Sequence, residues 1–139
     1  MKTGTWKLID LYPGAHIRVK VNNFYHHGIY IGNNEVVQFG LPFDMYKDNN
    51  DIKVIKSPLS DFCAPNDFIE VYCFSRKEKK NKYKDNIIIN NALSHLGEGG
   101  YNILKNNCEH FVNLCIFGTK TSKQIEEVYD DVDKLLNNK

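Results

Sequence analysis

Cysteine, proline, tryptophan and arginine are scarce in this chain, no long apolar run crosses it, and neither sign of charge prevails. Four cysteines in 139 residues, at positions 63, 73, 108 and 115, are too few for a disulfide scaffold. Their spacing also lacks the paired C-x₂-C pattern of a structural zinc site, so neither a metal nor another cofactor is expected. The first residues have no continuous apolar core of the signal-peptide kind, which makes a reducing, cytoplasmic setting the expectation. The longest apolar stretch, around Ile87-Ile88-Ile89, is broken by Asn and falls far short of the ~20 residues of a membrane span. Eighteen basic against seventeen acidic residues leave a formal charge of +1, so the electrostatic footprint of a nucleic-acid binder is missing.

What is present is enough for a core. Hydrophobic residues make up 42% of the chain and charged residues 25%. A chain of this length buries about two-thirds of the surface its unfolded form exposes, so one soluble domain is expected.

His16-Ile17-Arg18-Val19-Lys20-Val21 alternates as a half-buried strand does, after a turn at Pro13-Gly14. Tyr25–Ile31 and Glu35–Phe39 are rich in aromatic and β-branched residues, and Gly32-Asn33-Asn34 between them suits a tight hairpin. Residues 43–51 read as loop. Ile52–Lys56 reads as a short strand stopped by Ser57-Pro58, and Leu59–Asp67 as loop or one helical turn. Phe68–Phe74 alternates again. About five strands in a row with short connections predict an antiparallel meander.

Helical spacing takes over afterwards. Ile88, Ala92 and Leu96 form one stripe, ended by Gly97-Glu98-Gly99-Gly100. Cys108–Phe117 is apolar almost all round, as a buried helix is, and Gly118 closes it. Thr121 with Gln124 has the form of a capping box before a last amphipathic stripe, Ile125, Val128, Val132 and Leu135. Strands first and helices after predict an α+β fold, with a core over about 12–118 and a C-terminal helix over about 121–137.

Asn106-Asn107-Cys108-Glu109-His110-Phe111 carries the sharpest chemical signal. Asn107 is placed to cap the helix, and Cys108 sits where unpaired amides and the helix dipole favour a thiolate. The plainer alternative is a small buried hydrophobe. A nucleophilic thiol needs a base. Among five histidines, His110 faces another side of the helix, His95 can serve a helix C-terminus, and His16 carries no further signal. His26 and His27 fall on opposite faces of the hairpin. The face toward the helices is expected to be that of His26 and Gly28, the glycine leaving room for a backbone or substrate.

His26-His27-Gly28-Ile29-Tyr30-Ile31-Gly32, followed by Asn107-Cys108-Glu109-His110-Phe111-Val112, resembles the lecithin:retinol acyltransferase family. Members carry a His-x-(Gly/Ala)-Ile-Tyr-(Val/Leu/Ile)-Gly strand and a downstream Asn-Cys-Glu-His-Phe box. Pro13-Gly14, Val36-Val37 and Gly100-Tyr101-Asn102 match in between. The resemblance implies a circularly permuted papain-like (NlpC-type) fold with Cys108 as nucleophile and His26 as base. His27 falls where the family has Trp or Tyr. The third polar residue, commonly His in the family, is Gln38 here, whose side-chain oxygen can accept a hydrogen bond from the imidazole.

The function so implied is a thiol acyltransferase or lipid acyl hydrolase acting on a phospholipid or other acyl-bearing small molecule. An NlpC-type peptidase or amidase and a non-enzymatic interaction module are the alternatives. Arg76–Lys84, with six positive charges in nine positions, is either a solvated segment or a peripheral membrane contact. The acidic residues flanking the last stripe, from Glu126 to Asp133, suggest that this helix packs on the domain instead of on lipid.

Overall fold

The structure, a computed structural model, describes residues 4–42, 46, 48–65, 67–103, 106–119 and 123–137, with the backbone only for 123–129. Six strands, β1 (Thr5–Lys7), β2 (Ala15–Val21), β3 (Phe24–Gly32), β4 (Glu35–Phe39), β5 (Val54–Pro58) and β6 (Glu70–Cys73), form one sheet. Its order is β1-β6-β2-β3-β4-β5, with every pairing antiparallel. Helices α1 (Arg76–Asn81), α2 (Asp85–Ser94), α3 (Cys108–Phe117) and α4 (Lys123–Asn137) follow.

The β3–β4 hairpin is as expected. Gly32, Asn33 and Asn34 all have positive φ, the conformation that a tight turn demands and that Gly and Asn tolerate best. The sheet is apolar on both sides. Ala15, Ile17, Val19, Val36 and Val71 close around Phe62 on one face. On the other, Ile29, Val37, Phe39 and Val54 meet Ile88 and Ala92 of α2 and Phe111, Val112, Cys115 and Ile116 of α3.

The expected meander holds only from β2 to β5. β6 does not add beside β5 but returns to pair with β2, Ile17 opposite Val71, and β1 adds outside it. Phe62 accounts for the return: its completely buried ring draws the loop after β5 across the sheet face, delivering the chain beyond β2. β5 also runs on through Ser57-Pro58, the residues expected to stop it. It is an edge strand, where a proline's missing N–H costs no ladder bond. The basic run contains a short helix, α1, set by a capping box between Ser75 and Glu78.

Residues 43–45 and 47 of the expected loop, and the Thr121–Gln124 capping box, lie outside the described residues and side chains. The expected packing of the last helix is not seen over its described side chains. Residues 130–137 are all exposed, Val132 at 45% and Leu135 at 77%. No described helix is long and apolar enough to cross a membrane.

Gly28 corrects another expectation. A Cβ there would lie 2.8 Å from the Phe62 ring and 2.9 Å from a Val36 methyl, so the room is filled by the core and not by substrate. Gly28→Ala is expected to destabilise the fold by about 1–3 kcal/mol through overpacking, read as a lower urea midpoint at unchanged slope.

Candidate active site

β3 continues past the end of β4. Pairing between them begins at Gly28 opposite Gln38, and β4 ends at Phe39, after which Gly40 turns the chain away with φ +82°. The Tyr25 carbonyl and the His27 amide therefore face a gap in the sheet. Cys108, the first residue of α3, fills it. Its Sγ lies 4.0 Å from the Tyr25 carbonyl oxygen as a donor and accepts from the His27 backbone N–H. The sulfur thus borders the sheet on either side of the His26 backbone.

α3 begins there because Asn107 caps it, as expected. The Asn107 Oδ1 accepts from the amides of Glu109 and His110, both at 3.0 Å. His110, expected on another side of the helix from Cys108, is buried and completes the cap: its Nδ1 accepts from the Asn107 amide at 3.0 Å. At the other end Gly118, with φ +79°, closes the helix.

His26 does not face the helices. Strand alternation puts it with Gly28 on the Phe62 side, its ring 5.2 Å from the Phe62 ring. There its Nε2 lies 2.8 Å from Oε1 of Gln38, whose own Nε2 donates to Ser57 Oγ at 2.5 Å. With the amide so oriented, His26 donates from Nε2 and keeps its lone pair on Nδ1. The expectation had assigned the two faces the wrong way round, because period 2 tells the faces apart without saying which one the helices cover.

The helix side belongs to His27. Its Nδ1 is 2.8 Å from Nε2 of His16, Trp6 packs edge-on against His16, and Glu109 Oε2 lies 3.9 Å from its Nε2. His16, which carries no signal in the sequence, is thus part of a buried polar chain. His95 caps the end of α2 and bonds Glu98 at 2.8 Å. Among the described residues no group of three His, Cys, Asp or Glu side chains is placed to hold a metal ion.

Cys108 and His26 line one cavity of about 400 Å³. Its remaining wall is mostly apolar, including Val21, Phe24, Phe39, Leu41, Ile52 and Ile103, with Tyr46 and Tyr101 beside them. Burial pushes the Cys108 thiol up to about 11; amides of His27, Glu109 and Cys108 itself pull the other way, while the Glu109 carboxylate adds to the rise. Burial likewise drives His26 down to about 4 against the upward pull of Gln38. The site at rest is therefore a neutral thiol and a neutral imidazole. Desolvation outweighs the pull of the helix-terminal amides in this closed position, so the thiolate expected from the helix terminus is disfavoured.

His26 also carries a stability consequence. The unfolded chain takes up its proton near 6.5 and the folded one near 4, so between these values the unfolded state holds more protons. The contribution of the buried neutral ring is full above 6.5 and is lost as pH falls to 4, by about 3 kcal/mol. Urea unfolding at pH 7 and pH 4.5 should show this loss, and His26→Gln should flatten it.

An antiparallel sheet followed by a buried helix, with a cysteine at the helix's first turn and a histidine on the sheet, defines an α+β domain with a candidate thiol site. The family model for lecithin retinol acyltransferase matches residues 10–121, and the chain belongs to that family. It is 27% identical to the mouse protein named lecithin retinol acyltransferase over 152 aligned positions covering 94% of this chain. To the rat protein of the same name it is 25% identical over 155 positions, 97% of this chain. The matches take in 65% of the mouse protein's length and 67% of the rat protein's.

Ser57 and Tyr101 were missed as site residues by sequence reasoning. Ser57 reads as part of a strand stop. Tyr101 stands in the family-matching Gly100-Tyr101-Asn102; its hydroxyl is pushed well above the usual range by burial and by the nearby Cys108.

Proposed function

We propose that this domain is a thiol-dependent acyltransferase or lipid acyl hydrolase that works through an acyl-Cys108 intermediate. The observation that carries the reading is one apolar-walled cavity onto which both Cys108 and His26 open. His26 Nδ1 accepts the thiol proton as sulfur attacks the ester carbonyl, so charge develops only in the transition state. Asn107 already occupies the Glu109 and His110 amides. The Cys108 amide and the Tyr101 hydroxyl, on two residues that line the cavity, serve as donors to the oxyanion. Collapse of the intermediate breaks the ester C–O bond, and the imidazolium protonates the leaving alkoxide. Water or an acceptor alcohol or amine then attacks the thioester, giving its proton back to His26 and returning sulfur to the thiol.

A phospholipid suits the site as acyl donor, because the apolar cavity wall takes an alkyl chain. The relatives' printed name points the same way. Peripheral attachment falls to α1, where Arg76, Lys77, Lys79 and Lys80 are exposed. Salt-sensitive sedimentation with anionic vesicles checks this, and equal sedimentation of a variant with these four changed to Ala argues against it.

A non-enzymatic module is the second reading, favoured by the protonated resting thiol. Intact-mass analysis after incubation with phosphatidylcholine, and separately with a panel of peptide esters, decides. An acyl adduct on Cys108 from lipid supports the proposal. An adduct from peptide esters alone moves the assignment to an NlpC-type peptidase or amidase, and no adduct from either leaves the binding module.

A further inference from the structure

Gln38 is fully buried and has two chemically different ends of nearly the same shape. Presented oxygen-first, it takes the proton on His26 Nε2 and leaves Nδ1 as the base. Turned over, it would offer N–H to Nε2, the ring would have to carry its proton on Nδ1, and that nitrogen would no longer accept one from a thiol. The orientation of one amide therefore decides whether His26 is a base. A carboxylate in this position accepts through either oxygen and has no such ambiguity. An amide needs its far end held.

We propose that Ser57 is the positioning residue that holds it, an inference that rests on the Cys108–His26 reading of the site. The β4–β5 register places Ser57 opposite Val36 and Ile55 opposite Gln38, so Ser57 lies one step along the same face, diagonal to Gln38. From there its Oγ accepts the Gln38 Nε2 at 2.5 Å while Oε1 faces His26 at 2.8 Å. Ser57 is itself buried, at 7% exposure. The three side chains come from three adjacent strands, β5, β4 and β3, so the line from hydroxyl to imidazole is fixed by the sheet ladder and not by a loop. Ser57 touches no reacting atom. It acts through Gln38: as acceptor for the Gln38 Nε2 it favours the orientation that turns Oε1 to His26 and leaves Nδ1 free.

The test joins a spectroscopic readout to kinetics. In ¹⁵N-labelled protein, His26 is expected to be protonated on Nε2, and Ser57→Ala to move a measurable share of the proton to Nδ1. With phosphatidylcholine as acyl donor, Ser57→Ala should lower kcat by about tenfold at little change in KM, the effect of losing one hydrogen bond that biases the amide. Ser57→Thr keeps the hydroxyl and should restore both readouts. In a Gln38→Glu background, whose ionised side chain cannot present a donor, Ser57→Ala should add no further loss of kcat.

An unchanged tautomer in Ser57→Ala overturns the proposal. So does an equal loss of kcat with Gln38 and with Gln38→Glu, which would mark a general structural role. If the wild-type protein forms no acyl-Cys108, the functional reading fails, while the tautomer measurement still decides whether Ser57 governs His26.

Discussion

Cys108→Ala is expected to lose turnover by roughly 10³-fold or more, His26→Ala by about 10²–10⁴-fold, and the double variant little more than either alone. The two side chains are one device in the proposed mechanism. Without a base the buried thiol, held up to about 11, stays protonated at neutral pH, and without the thiol the base has nothing to deprotonate. Initial rates on phosphatidylcholine for the three variants check this. Full additivity, or a Cys108→Ala protein that still turns over, would remove the acyl-cysteine route. Circular dichroism and the melting temperature show whether each variant has kept its fold, since Cys108 also packs with Phe39, Phe111 and Val112.

The second large effect concerns the reactivity of the thiol in the absence of substrate. A thiol near 11 holds far less thiolate at pH 8 than free cysteine, whose own value is about 8.5. Higher intrinsic nucleophilicity of the more basic sulfur recovers part of the difference. Iodoacetamide should therefore modify Cys108 on the order of tenfold to a hundredfold more slowly than free cysteine at pH 8. The rate should keep climbing past pH 9, where free cysteine levels off. Fast modification at pH 6 would mean a preformed thiolate–imidazolium pair and would contradict the neutral resting site.

Much of the fold could be read in the chain because its signals are local. Asn107 and Gly118 bound α3 by their own side-chain and backbone chemistry, and Gly32-Asn33-Asn34 set the hairpin by their tolerance of positive φ. The pairing of two motifs some eighty residues apart brought Cys108, His26 and Gln38 forward together. What stayed hidden depends on which surfaces meet. The path of β6 follows from where Phe62 is buried, and nothing in the run from Phe68 to Phe74 encodes it.

The same limit applied within the site. Alternation separated His26 from His27 but could not tell which one the helices would cover, and Cys108 reaches the sheet at its margin instead of across a face. Amides at the first turn of α3 do pull the Cys108 thiol toward its charged form. Burial is a property of the assembled domain, and it reversed the sign. Ser57 was unreadable for a related reason: its partner lies nineteen positions away on a neighbouring strand, in a register that only the sheet determines.

The margin position of Cys108 bears on what happens once sulfur is acylated. A thioester has no S–H to give the Tyr25 carbonyl, and its sulfur is a poor acceptor for the His27 amide. In the proposed acyl form Cys108 would therefore no longer fasten this selvedge of β3. Discharge of the cargo would refasten the edge.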